Sequence, residues 1–276
     1  MHLLVAGAAG WGKGYLAQIL VYNNMIGETF DAVIVLDTSN EFRGLVSSEH
    51  GPAPATHWAV TEREATAWDR QDWQALIGSN RNLVLQRGVA KGDEWQEAAA
   101  EIVMGARLSS LDVLVTIDEG HGLAPQSGGS YPEELEKLVT DGRTEGGAAT
   151  SSMWLTQRLA QIDKNITENC NARFLGGFEG DNSLSSVGDI LPYPKEMHAT
   201  GGQPVNSSIP EKLLTDGEAI SVRKWTEPDE DGEPQTVNSE WIYTDETGKL
   251  ARKQSNDYTA VCDHVGASGK RIDVGI

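Results

Sequence analysis

Short apolar runs separated by amphipathic stretches fill the first two-thirds of the chain. The runs at 3–6, 32–36, 82–86, 113–117, 152–156 and 172–175 predict strands. Several are continuously apolar, the pattern of buried parallel strands covered on both faces. Between them, 13–22, 69–77, 93–108 and 132–140 predict helices. In the third, Trp95, Ala98, Ala99, Ile102 and Met104 fall near helical spacing, and Asp93 is suited to cap it. Pro132, Glu133 and Glu134 suit the first turn of the fourth. Strands alternating with helices argue for an α/β fold with a mainly parallel central sheet flanked by helices.

Segments 46–57 and 122–131, rich in Gly, Ser, Pro and Ala, read as loops. From Leu191 the pattern changes: Pro192, Pro194, Gly201, Gly202 and Pro204 mark irregular chain. Beyond it, 218–225 and 239–244 predict a β-hairpin around the acidic turn 227–234, and the residues after Thr247 are polar. The expected organisation is a core over 1–225 and a β-hairpin extension over 226–276.

A chain of 276 residues suits one large α/β domain. No apolar run approaches the roughly 18–20 residues of a membrane span, and no basic segment precedes an apolar one as in a secretory signal. Two cysteines, Cys170 and Cys262, make no disulfide framework and point to a reducing compartment. Charge changes the picture more. Acidic residues number 41 against 22 basic ones, a net charge of −19. A solvated acidic surface is one explanation. Adaptation to high salt, where screening shortens to about 3 Å at 1 M, is the sharper one. Any contact with nucleic acid must then be local and enclosed.

Gly7-Ala8-Ala9-Gly10-Trp11-Gly12-Lys13-Gly14 follows the first predicted strand and opens the first predicted helix. This is the G-x-x-x-x-G-K pattern of a phosphate-binding loop in its required context. Glycines let backbone N–H groups turn towards an anion at the positive end of a helix, and the lysine reaches the β- and γ-phosphates. Alone, the loop could be a glycine-rich turn with an incidental lysine. The run 111–117 then ends in Asp118-Glu119, the pattern in which the first carboxylate holds Mg²⁺ and the second polarises water as general base. Both motifs are expected at the carboxyl ends of neighbouring strands. The run 152–156 closes on Gln157-Arg158, where a glutamine can sense the γ-phosphate. Arg143 sits in a glycine-flanked turn, and an arginine reaching a neighbour's nucleotide stabilises transition-state charge.

Taken with Asp37-Thr38-Ser39-Asn40-Glu41-Phe42, Ile162–Ile166, Asn169 and Arg173, these blocks resemble, in order and spacing, the HerA/FtsK superfamily of DNA-pumping ATPases. The segment 217–222 is similar to that family's terminal core strand, so the resemblance spans roughly 1–225. It implies a RecA-like (ASCE) P-loop NTPase core that binds ATP and Mg²⁺, assembles with itself into a ring, usually a hexamer, and threads double-stranded DNA. The minimal core is most similar to genome-packaging ATPases of membrane-containing viruses. That kinship implies a place in the host cytoplasm or at a packaging vertex, beside capsid or membrane-vertex proteins. Carried over position by position, Gly7, Ala8, Ala9, Gly10, Trp11, Gly12, Lys13, Gly14 and Tyr15 bind nucleotide, Asp118 binds metal, Glu119 activates water and Gln157 is the sensor. Arg143 is the expected trans-acting finger, with Arg158 and Arg173 as competitors. A plasmid or cellular translocase, or a nucleotide-binding scaffold with little turnover, are the alternatives.

One position departs from the pattern. Gly14 stands where such loops carry Ser or Thr, whose hydroxyl holds Mg²⁺. Metal binding then falls to nucleotide oxygens, water and Asp118, since Tyr15 is a poor substitute. His121 follows the acidic pair closely enough to tune Glu119, though an ordinary loop histidine is the plainer reading, and Cys262-Asp263-His264 carries ligand-type side chains without the spacing of a metal site.

Overall fold

Strands that are apolar on both faces need cover on both sides, and this chain supplies it. The computed structural model describes residues 1–141, 148–229, 232 and 234–265. In order, they form β1 (His2–Ala6), α1 (Lys13–Ile26), β2 (Ala32–Asp37), β3 (Thr56–Val60), α2 (Glu62–Ala67), α3 (Arg70–Ser79), β4 (Asn82–Arg87) and α4 (Gly92–Leu108). Next come β5 (Val113–Ile117), α5 (Gly120–Leu123), α6 (Glu133–Thr140), β6 (Thr150–Thr156), α7 (Lys164–Asn169), β7 (Ala172–Leu175) and α8 (Asp181–Gly188). Last are β8 (Lys224–Pro228), β9 (Pro234–Asp245) and β10 (Leu250–Gln254).

The strands make one sheet in the order β10-β9-β7-β1-β6-β5-β2-β4-β3, with β8 pairing β9 off that path. From β3 to β7 every pairing is parallel, and β9 joins β7 antiparallel. Every residue of β2 and β5 is buried. Alternate side chains feed two cores: Ile34 and Leu36 pack with Trp73, Ile102 and Trp154 on one face, while Val33 and Val35 pack with Leu16, Val21 and Trp241 on the other. Asp69 caps α3, accepting from the Gln71 and Asp72 amides. Among the described residues, no helix is long and apolar enough to cross a membrane.

The expected α/β sheet is present, with corrections at its edges. The predicted loop 46–57 ends in β3, a strand exposed along most of its length because it pairs only with β4. The polar stretch after Thr247 contains β10, the opposite edge. Both edge strands lack the buried alternation that marks a strand in sequence.

The segment 217–222 does not form the expected core strand. It makes only isolated bridges, Thr215 with Glu218 and Pro204 with Ile220. The place beside β7 is taken by β9, whose Trp241 and Ile242 are fully buried. The hairpin exists with different limits, β8 against β9, closing at Pro228 opposite Pro234. The expected division at residue 225 therefore falls inside β8, and the chain beyond it completes the sheet.

Glu240 locks this last layer in place. Its carboxylate, 2 % exposed, accepts from the Arg223 backbone N (2.8 Å), from Arg223 Nη2 (2.9 Å) and from Arg252 Nη2. Burial alone would raise its pKa, but the two guanidinium groups hold it below the usual carboxylate range. A depressed folded pKa stabilises the fold above the unfolded value near 4.3, and that contribution fades as pH falls through the folded pKa. Glu240→Gln is expected to cost about 3–5 kcal/mol near neutral pH, the loss for breaking a buried pair. In urea melts run at a series of pH values, the gap from wild type narrows on the acid side.

Candidate functional site

Parallel strands carry their carboxyl ends to one edge, and four of them build the site there. Ala6 pairs with Thr156, Leu36 with Ile117 and Ile117 with Trp154, so Gly7, Asp37, Asp118 and Gln157 leave the sheet side by side. One expectation needs correcting: β1 and β5 are not neighbours, because β6 lies between them. Lys13 nevertheless bridges the gap, since four methylenes carry its ammonium across an intervening strand. Its Nζ is 3.4 Å from Asp118 Oδ1 and 3.6 Å from Glu119 Oε1. The intervening strand also delivers Gln157, whose Nε2 donates to Glu119 Oε1 at 3.1 Å.

The glycine loop is held from several sides. Gly7 N donates to Thr156 O and Ala8 N to Gly177 O. Gly12 begins α1 at φ 84°, a left-handed conformation open to glycine at little cost. The first amides of α1 have no partner within the helix, which leaves them free to meet an anion. Trp11 is a structural anchor: 1 % exposed, it donates from Nε1 to Glu240 O at 3.0 Å. A Cβ on Gly177 would come within 2.4 Å of the indole, so the glycine permits this close approach. Trp11→Ala is expected to destabilise by about 3–5 kcal/mol, as for other buried tryptophans, which thermal or urea unfolding would register. Tyr15, on the next turn, meets the His264 ring edge-on at 6.5 Å between centroids.

Glu119 occupies φ 51°, ψ 48°, a strained left-handed conformation for a residue with a side chain. That geometry turns its carboxylate back towards Lys13 and Gln157. His121 Nδ1 lies 3.1 Å from Glu119 Oε2 and 3.2 Å from Thr156 Oγ1. Burial works to raise the Glu119 pKa, but the neighbouring His121 and the Lys13 charge hold it below the usual range. A carboxylate kept ionised and oriented by a glutamine and a histidine can accept a proton from water.

Asp118, 1 % exposed, has its pKa raised by burial despite Lys13. Lys13, 8 % exposed, would lose its charge to burial but is held protonated by Asp118, Glu119 and Glu41. Asp37 shapes the loop beyond β2: its carboxylate accepts from Glu41 N (3.0 Å) and Phe42 N (3.1 Å). Phe42 is anchored in the core, which leaves Glu41 lining the site. Burial lifts the Asp37 pKa to about 6.

Glu41, Lys13, Glu119, Gln157 and His264 line a cavity of about 230 Å³ over the glycine loop. It adjoins, through Gly10, Gly12 and His264, a cleft of about 750 Å³ between Tyr15, β9 and the segment 260–264. The two together have the form of a small polar pocket opening into a larger one.

Neither a family model nor a curated protein matches the sequence. Solved structures do match the fold. The genome-packaging NTPase B204 from Sulfolobus turreted icosahedral virus 2, in complex with ATP-gammaS, aligns at TM-score 0.53 and 14 % identity, over 91 % of this chain and 95 % of that one. Its complexes with AMP and with sulfate align at TM-score 0.51, with 12 % and 11 % identity over 91 % of this chain and 95 % and 94 % of those. The fold is shared with B204. At such identity the match is one of architecture, and the site rests on this chain's own residues.

Of the residues read from sequence, Lys13, Asp118, Glu119 and Gln157 converge, and Gly7–Tyr15 form the loop above them. Arg143 lies outside the described residues. Arg158 is exposed beside Gln157, with Nη1 3.5 Å from Gln161 Oε1. Arg173 is half-buried and donates to Thr167 O and Glu168 O. Two contributors were given no role from sequence, Glu41 and His264, and His121, open to tuning Glu119, read foremost as a loop histidine. Glu41 and His121 lay inside or beside recognised blocks, which was the available signal. His264 is far away in the chain, and only the fold brings it to the loop.

Proposed function

We propose that this chain is an ATP-driven motor that moves double-stranded DNA, of the genome-packaging kind. The observation that carries the reading is the meeting of Lys13, Asp118, Glu119 and Gln157 beneath a glycine loop that opens a helix. In this reading the triphosphate lies in the smaller pocket against Lys13 and the α1 amides, and the nucleoside enters the larger cleft. Mg²⁺, when bound with nucleotide, neutralises phosphate charge. Asp118 is the buried carboxylate suited to hold it. Glu119 takes a proton from water, and Gln157 and His121 hold the carboxylate in place for that transfer.

The likeness in fold to an NTPase solved in complex with ATP-gammaS supports the nucleotide reading. DNA as the cargo is supported by the order of sequence blocks. With a net charge of −19, lysine and arginine contacts that release DNA counterions must be concentrated. A self-assembled ring, such as a hexamer, does so by placing a few basic residues per subunit in one pore. Arg158, which is exposed, and Arg143, which lies outside the described residues, are the arginines we assign to a neighbouring subunit's nucleotide, and capsid or membrane-vertex proteins would be the docking partners.

The test is ATP hydrolysis with and without double-stranded DNA in molar salt, together with electron microscopy of the assembled protein. Stimulation by DNA and a ring support the motor. Tight ATP binding without phosphate release, with DNA and Mg²⁺ supplied, would favour a nucleotide-binding scaffold instead, the reading that Gly14 favours.

A further inference from the structure

Gly14 does more than lack a hydroxyl. A Cβ built on it would lie 2.8 Å from Glu41 Oε2, 2.9 Å from His264 Cε1 and 3.1 Å from His264 Nε2. The space a serine or threonine would fill is already taken by a carboxylate and an imidazole, so any side chain at position 14 must displace one of them. We propose that Glu41 replaces the missing hydroxyl as the second protein ligand, beside Asp118, of the divalent cation that accompanies the nucleotide. The proposal rests on the reading of this pocket as a nucleotide site and adds to it the residue that compensates for Gly14.

Position, charge and chemistry support it independently. Asp37 folds the loop so that Phe42 enters the core and Glu41 lines the pocket with Glu119 and Gln157. Glu41, Asp118 and Glu119 all act on the Lys13 ammonium, and that lysine cannot balance three carboxylates and an incoming triphosphate. A divalent cation supplies the missing charge. Mg²⁺ is commonly held by one or two carboxylates together with phosphate oxygens and water. Among the described residues, no group of three or more His, Cys, Asp or Glu side chains is arranged to hold an ion by itself. The cation is therefore expected to arrive with the nucleotide.

His264 is the rival ligand, since its Nδ1 is buried without a hydrogen-bond partner. An oxygen ligand suits Mg²⁺ better than imidazole nitrogen, and the two residues can be separated by experiment.

The full chain is loaded with a non-hydrolysable ATP analogue and titrated with Mn²⁺, free ion being counted by electron paramagnetic resonance and Mg²⁺ used as competitor. Analogue binding without metal is measured in parallel by calorimetry. Wild type is expected to take up one Mn²⁺ per bound analogue. Glu41→Gln weakens Mn²⁺ binding by roughly tenfold or more, as for loss of a charged ligand, and does not weaken metal-free analogue binding, since it removes a negative charge facing the triphosphate. Gly14→Ser alone gives no tightening, because Glu41 already fills the space. Gly14→Ser combined with Glu41→Ala, which empties that space, recovers most of the lost affinity. Melting curves establish that each variant is folded, and Glu41→Asp, with a shortened carboxylate, falls between wild type and Glu41→Gln.

Unchanged Mn²⁺ affinity in Glu41→Gln overturns the proposal. So does tightening by Gly14→Ser in the presence of Glu41, or a loss seen in His264→Ala instead of in Glu41→Gln. If wild type binds no analogue under any condition, the nucleotide reading itself falls and takes this proposal with it. That result is distinct from analogue binding whose metal dependence ignores Glu41.

Discussion

Glu119→Gln is expected to lower ATP turnover by about 10²–10⁴-fold, the usual contribution of a positioned general base. Nucleotide affinity should stay within about threefold, since the group acts in the transition state and not in ground-state binding. The substitution keeps the size of the side chain and removes its ability to take a proton. It also removes the negative charge that neighbouring His121 and Lys13 sustain. Steady-state phosphate release with parallel calorimetry of ATP binding separates the two effects. Turnover near wild type would remove Glu119 from the reaction and leave only a structural role for its strained backbone.

Lys13→Ala has the second large effect, and it acts on two levels. The ammonium is the charge through which Asp118 and Glu119 are held together, at 3.4 and 3.6 Å. Removing it leaves Asp118 buried without a counter-charge, at a cost of about 3–5 kcal/mol if the carboxylate stays ionised. Protonation of Asp118, whose pKa burial already raises, limits that loss. The melting temperature should therefore fall, and fall less at acid pH, where Asp118 becomes neutral. ATP affinity should drop roughly 10–100-fold, the equivalent of one charge-assisted contact worth about 1.5–3 kcal/mol. Calorimetry of ATP binding beside thermal melts across pH measures both. Wild-type ATP affinity in a folded Lys13→Ala protein would place the triphosphate elsewhere.

The acidic environment also explains why the two variants differ in kind. Glu119→Gln removes one of several negative charges and should leave the fold intact or slightly relieved. Lys13→Ala removes the site's central positive charge. Comparing their melting curves before any nucleotide is added is therefore informative in its own right.

Much of the site was legible in sequence because its motifs are local. Gly7–Gly14 had to lie between a strand and a helix, and Asp118-Glu119 had to end an apolar strand. Gln157 was readable for the same reason, as the polar residue closing a buried run. The relation between these pieces was less legible. Adjacency of β1 and β5 was the natural expectation from two strand-end motifs. The insertion of β6 between them depends on which strand pairs with which, and apolar runs of similar composition do not encode their partners. At the edges the signal fails differently. β3 and β10 are half-exposed, so burial leaves no pattern in their residues, and β9 displaced the shorter segment 217–222 by offering Trp241 and Ile242 to the core.

The sequence by itself determined that strands alternate with helices, that a glycine-rich loop opens the first helix, and that a carboxylate pair and a glutamine end buried strands. Each of these follows from backbone conformation and burial within a few residues. Tertiary structure alone decided that Lys13 reaches across β6, that His121 steadies Glu119, and that Glu41 and His264 fill the space left by Gly14. Those contacts join residues as far apart as 14 and 264. Chain topology and packing set such distances, and no local pattern of residues records them.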